Sequence, residues 1–185
     1  MFGVGGAWQS PDTWFHRSPV RLQEVSPISP EILSEYLRRS YHAVDGLWFM
    51  MVEEELGFDR ALGLDERVWR VLAKIQARKA RELLQCAGNE PQDLLRCFSL
   101  KLTADGHQFD ARVEEDRVNF RIAQCPWQDL LSRSDRQHLA ALVSRRICPA
   151  EGETWCREFG GEYAFEMPCM MCDGAGDCAM IFRRR

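Results

Sequence analysis

The stretch Gln108-Phe109-Asp110-Ala111-Arg112-Val113-Glu114-Glu115-Asp116-Arg117-Val118-Asn119-Phe120-Arg121-Ile122 decides the fold class. Apolar residues stand at every second position on each side of the polar Glu114-Glu115-Asp116 segment. That period is a strand's, and two such runs around a polar turn predict a β-hairpin. Upstream the period is 3.6, the helical repeat. Ser29-Pro30-Glu31 supplies a cap, a first-turn proline and an early acid, so a helix is expected from there to about Leu56, stopped by Gly57. Leu33, Leu37, Tyr41, Val44, Trp48, Met51 and Val52 mark its apolar face, expected to face the core. Beside that face His42, Asp45 and Gly46 form a polar notch, read either as the wall of a ligand pocket or as a core-edge histidine with a neighbouring carboxylate.

A second long helix is expected from Asp65, through Val68, Trp69, Leu72, Ile75 and Leu83, to Ala87-Gly88, and a third from Pro91 to Leu102 with Leu94, Leu95 and Phe98 inward. Beyond the hairpin, two short helices are predicted around Ser134-Asp135, ending at Ile147-Cys148-Pro149 because proline disfavours helix in the residue before it. A helical turn over Trp155 to Phe159 and strands over Tyr163 to Met167 and Ala179 to Arg183 complete the chain. Helices gathered first and strand pairs later give an α+β fold, with two long amino-terminal helices packed on a small antiparallel sheet and short helices between the strand pairs. Residues 1–28, dense in glycine and proline with Trp8, Trp14 and Phe15 among them, read as an arm outside a single domain over 29–185.

Composition narrows the function classes. The 185 residues suffice for one core without disulfides, and a net charge of −4 offers nucleic acid no basic surface. No apolar run approaches a membrane span and the amino end lacks the pattern of a signal peptide, so a cytoplasmic setting with reduced cysteines is expected. No P-loop, dinucleotide fingerprint, nucleophile elbow or metalloprotease helix is present.

The chemistry that remains is sulfur. Cys125, Cys148, Cys172 and Cys178 each fall at the end of a predicted element, where rigid supports hold a site well. Cys169 and Cys172 form a C-x2-C pair with Glu166 three residues upstream. Four thiolates, or three with Glu166, match tetrahedral zinc. Three readings stay open: a metal site, a reactive thiol, or packed structural cysteines, with Cys86 and Cys97 read as buried apolar fillers.

Tyr41 to Phe49, Val52 to Glu55, Lys74 to Arg78, Cys125-Pro126-Trp127, Ile147-Cys148-Pro149 and Cys172 to Phe182 together resemble a small family of uncharacterised bacterial and archaeal cytosolic proteins. The carboxy half also resembles the L-2-amino-thiazoline-4-carboxylate hydrolase family and, more remotely, ligand-binding domains of the 4-vinyl-reductase type. These resemblances imply a small-molecule ligand, with His42, Asp45, Trp48 and Phe49 lining its pocket. They also imply zinc on Cys125, Cys148, Cys172 and Cys178, with Glu166 as the alternative fourth ligand. The expected function is small-molecule binding beside that zinc site. The alternative is hydrolysis of a cyclic amidine or thiazoline C–N bond by a cysteine or a metal-bound water. A homodimer through the aromatic arm is the expected assembly.

Overall fold

The computed structural model describes residues 27–185, so all but the last two positions of the expected arm lie outside the described residues. The fold is α+β. Helices α1 (Pro30–Leu56), α2 (Phe58–Leu83) and α3 (Pro91–Asp105) come first, followed by strands β1 (Gln108–Glu114) and β2 (Arg117–Gln124). Helices α4 (Pro126–Arg133) and α5 (Ala140–Glu158) lead to β3 (Tyr163–Cys169) and β4 (Cys178–Arg184). The four strands form one antiparallel sheet in the order β1-β2-β4-β3.

The hairpin register sets the core. Ala111 faces Phe120, Val113 faces Val118, and across the next ladder Phe120 faces Met180 and Val118 faces Phe182. The alternation therefore turns every second residue of the sheet toward the helices. Phe98 of α3 meets Phe120, Trp155 and Phe182 edge-on at centroid distances of 4.9, 5.0 and 4.9 Å. Edge-to-face geometry at that spacing is favourable for aromatic quadrupoles. The helices that meet the sheet are α3 and α5; α2 packs across both through Ala73, Ala77 and Ala80, and α1 lies outermost on α2. The long amino-terminal helices thus reach the sheet largely through the other two.

Several boundaries differ from the sequence expectation, among them the end of α2, at Leu83 and not at Ala87-Gly88, and that of α3, which runs on to Asp105. Helix α2 begins at Phe58, not Asp65, because Gly57 alone turns the chain: at φ 82° it adopts a conformation costly for any residue with a side chain. Helix α5 runs unbroken through Pro149, where a stop was expected, and absorbs the separate turn predicted at Trp155. Burial of Ile147, Ala150 and Trp155 along one face outweighs the lost amide and the ring's crowding of the preceding turn. Strand β3 extends two residues past Met167, with an irregularity in its ladder between Glu166 and Cys169. Cys86 and Cys97 are buried in the core as expected.

The largest correction concerns α1. Its apolar stripe was expected to face the body of the protein. Instead Leu33, Leu37, Val44, Trp48 and Met51 are exposed, and His42 is the one residue of this helix that is fully buried. Amphipathic spacing identifies which face is apolar; it does not identify what covers that face.

Candidate functional site

Helix α1 turns its polar side inward because polar partners wait there. On α3 the inward row Leu94, Phe98, Lys101, Asp105 advances by helical steps, so an apolar stripe ends in a cation and an acid. On α5 the row Ile147, Glu151, Trp155 carries a carboxylate between two apolar residues. Where these rows meet, Lys101 Nζ lies 2.8 and 2.9 Å from the two Glu151 oxygens and 3.2 Å from Asp105 Oδ2. All three side chains are buried. Burial alone would strip the Lys101 proton, but Glu151 and Asp105 more than offset it and hold the group as an ammonium.

The surrounding side chains come from helices α1, α2 and α4 and the α3–β1 turn. Tyr41 and His42 of α1 and His107 sense the charges of this trio or of one another. Burial raises the Tyr41 hydroxyl and lowers both histidines, His107 to about 3, so both rings are neutral. Asp45 of α1 and Asp65 of α2 extend the same cluster outward. Burial raises them to about 6 and about 7, with Asp105 adding to the shift at Asp45 and Asp45 to that at Asp65. Trp69 of α2 partly offsets the shift at Asp65. Tyr41, Trp69 and Trp127 form an aromatic wall with centroids 5.2–6.4 Å apart, and the His42 ring stands 4.6 Å from Trp127.

Hydrogen bonding in this centre is incomplete. Among the described residues, five of the eight buried side-chain polar atoms without a hydrogen-bond partner belong to it: Tyr41 Oη, His42 Nε2, Asp105 Oδ2, His107 Nδ1 and Glu151 Oε1. The Asp105 and Glu151 oxygens lie within ion-pair reach of Lys101 but outside hydrogen-bond alignment. Buried polar atoms without a partner are uncommon in native interiors, and here they gather around one ion trio.

Asp65 makes a testable electrostatic prediction. A carboxyl whose folded value is raised from 3.8 to about 7 contributes stability fully below 3.8 and loses it as pH rises through 7. Asparagine carries no charge to bury. The Asp65→Asn protein is thus expected to gain about 1–2 kcal/mol relative to wild type between pH 5 and pH 8, after discounting the nominal shift for solvent screening. The opposing titrations of His42 and His107 are common to both proteins and cancel in the difference. Equal differences at both pH values by chemical denaturation would contradict this burial of Asp65.

The predicted site residues divide between this centre and its border. His42 and Asp45 belong to the centre. Phe49 packs on Phe58 at 5.9 Å, with the Arg136 guanidinium 5.9 Å from its ring. Trp48 faces away from the body and is 66% exposed. Cys125, Cys148, Cys172 and Cys178 enter one apolar cluster, Cys148 and Cys125 bordering Lys101. Burial raises all four thiols, Cys178 to about 11, and neighbouring thiols reinforce the shift at Cys148 and Cys178. The Met171 amide donates to Cys178 Sγ at 3.1 Å. Glu166 is held instead by Arg183 at 2.8 Å, and Cys169 Sγ lies 3.7 Å from Asp177 Oδ1. Among the described residues no three His, Cys, Asp or Glu side chains are close enough together to hold a metal ion. The four thiols are neighbours in this cluster.

Lys101, Asp105, His107, Glu151, Tyr41, Asp65, Trp69 and Trp127 were not singled out from sequence as site residues. One signal for them was present: Lys101 and Glu151 each occupy an inward position of a helix whose neighbouring inward residues are apolar.

A helical hairpin outside, two helices on a four-stranded antiparallel sheet and a buried acidic-aromatic centre between them define an α+β protein with an internal polar site. The chain belongs to the family of unknown function DUF6125, whose model matches residues 30–172. The match includes the whole polar centre and stops before β4 and Cys178. No curated protein matches the chain. The resemblances to the thiazoline hydrolases and to the 4-vinyl-reductase-type domains rest on the sequence motifs alone. None of the described helices is long and apolar enough to cross a membrane.

Proposed function

We propose that this protein binds a small organic cation, an amine or an amidine, at the centre formed by Tyr41, His42, Asp45, Asp65, Lys101, Asp105, His107 and Glu151. The observation that carries the reading is the imbalance of charge: two buried carboxyl groups, Asp105 and Glu151, share one ammonium, Lys101. A ligand that brings positive charge and N–H groups completes such a site. Two further half-buried carboxyl groups, Asp45 and Asp65, favour positive charge, and the faces of Tyr41, Trp69 and Trp127 supply the quadrupole that attracts a desolvated cation. Lys101 fixes Asp105 and Glu151 in place and balances one of their two charges.

This is a binding function. Hydrolysis by a cysteine nucleophile needs a thiol poised as thiolate, and burial raises the Cys125 and Cys148 thiols beside the centre. Zinc is no part of the reading.

The test is a thermal-shift panel of agmatine, putrescine, choline and benzamidine against acetate and succinate. Saturating binding at about a hundredfold over Kd stabilises by about 2.7 kcal/mol, so at least one cation is expected to raise Tm by about 5 °C or more. The shift should grow from pH 5 to pH 8 as Asp45 and Asp65 lose their protons. A panel in which only the anions act, or in which nothing does, would contradict the proposal.

A further inference from the structure

Helix α1 carries a second message on its outer face, independent of the polar centre. Leu33, Leu37, Ser40, Val44, Leu47 and Met51 follow one another at alternating steps of four and three. That is the heptad seam by which one helix packs against another. In this protein the seam points away from the body: Leu37 is 57% exposed, Val44 63% and Leu47 54%. Summed over the exposed apolar side chains of α1, the uncovered area is on the order of 1,000 Å², against about 800 Å² per partner in a stable protein interface.

We infer that the occupant is a second copy of this chain, its α1 antiparallel to the first in a two-fold dimer. A continuous seam on one helix is self-complementary, which is what a two-fold interface requires. Charge chooses the direction. Helix α1 closes on Glu53-Glu54-Glu55, and Glu54 and Glu55 are exposed. A parallel pair would set two such acidic runs side by side. The antiparallel pair places the two runs at opposite ends of the seam, each beside the positive backbone dipole of the other helix's first turn, where Glu31 is the acidic residue. Helix α2 shows the same pattern at Leu64, Val68, Val71 and Ile75, all exposed at steps of four, three and four. The hairpin as a whole therefore suits a helical-bundle contact.

The experiment is sedimentation equilibrium of the full chain at about 10–100 μM. The expected mass is twice the 21.4 kDa chain. The double variant Leu37→Lys, Leu47→Lys should run at the single-chain mass with unchanged far-UV circular dichroism, since both positions lie outside the core. The double variant Leu33→Cys, Met51→Cys should be linked into a covalent dimer by mild oxidation and Leu33→Cys alone should not; a disulfide-linked dimer of the single variant would overturn the antiparallel arrangement. A wild-type monomer, or a lysine variant that remains dimeric, would overturn the interface. So would a dimer lost when Trp8, Trp14 and Phe15 are replaced by serine but kept in the lysine variant, which would assign the contact to the amino-terminal segment.

Discussion

Replacing Lys101 with methionine is expected to cost about 3–5 kcal/mol, the range for removing one partner from a buried ionic group. Asp105 and Glu151 would then face each other in a buried site without the ammonium that now holds them 2.8–3.2 Å from its nitrogen. For a domain stabilised by about 5–15 kcal/mol that is a large fraction of the total. The control is the triple variant Lys101→Met, Asp105→Asn, Glu151→Gln, which removes every charge of the trio. It is expected to recover most of the loss, because a buried ion pair is weak evidence of net stability and only its breaking is expensive. The two variants also separate folding from function: the triple protein should fold and bind no cation. A Lys101→Met loss below about 1 kcal/mol in urea unfolding would contradict the burial of a charged trio.

Phe98→Ala is expected to have an effect of similar size for a different reason. Phe98 is 1% exposed and touches both halves of the fold, meeting Trp155 of α5 and Phe120 and Phe182 of the two central strands. Removing the ring forfeits its burial and leaves a cavity between α3 and the sheet, worth about 3–5 kcal/mol. Phe98→Leu refills part of that volume and should recover about half. The Lys101 ammonium stands 5.6 Å from the centroid of the Phe98 ring, so the apolar core and the polar centre share a wall. A void at Phe98 should therefore weaken cation binding as well, which a stability measurement alone would not reveal.

The sheet could be read from the sequence because its signal is local. The period-2 runs at Phe109–Val113 and Val118–Ile122 name the strands, their facing sides and the turn without reference to anything distant. The helix through Pro149 could not be read that way. A proline signals a break, and only the tertiary burial of Ile147, Ala150 and Trp155 overrides it. Helix α1 shows the reverse problem: a correct periodicity with the face turned outward, since periodicity carries no information about the partner. His42 and Asp45 were legible as neighbours one turn apart. Lys101, Asp105 and Glu151 were not, because Glu151 lies fifty residues from Lys101 and only the crossing of α3 and α5 brings them together. The cysteines drew attention as a cluster in sequence. In space Cys125, Cys148, Cys172 and Cys178 border the polar centre or the sheet as protonated thiols, while Glu166 and Cys169 turn to Arg183 and Asp177.

The central claim is that the acidic-aromatic centre accepts a small organic cation, and isothermal titration calorimetry tests it most directly. Each cation of the panel is titrated at pH 8 into wild type and into Asp45→Asn, a near-isosteric change at a half-buried position. The predicted result is saturable binding of at least one amine or amidine at one per chain, weakened about tenfold, or about 1.4 kcal/mol, in the variant. Absence of binding heat for every cation, or equal affinity for wild type and Asp45→Asn, would contradict it.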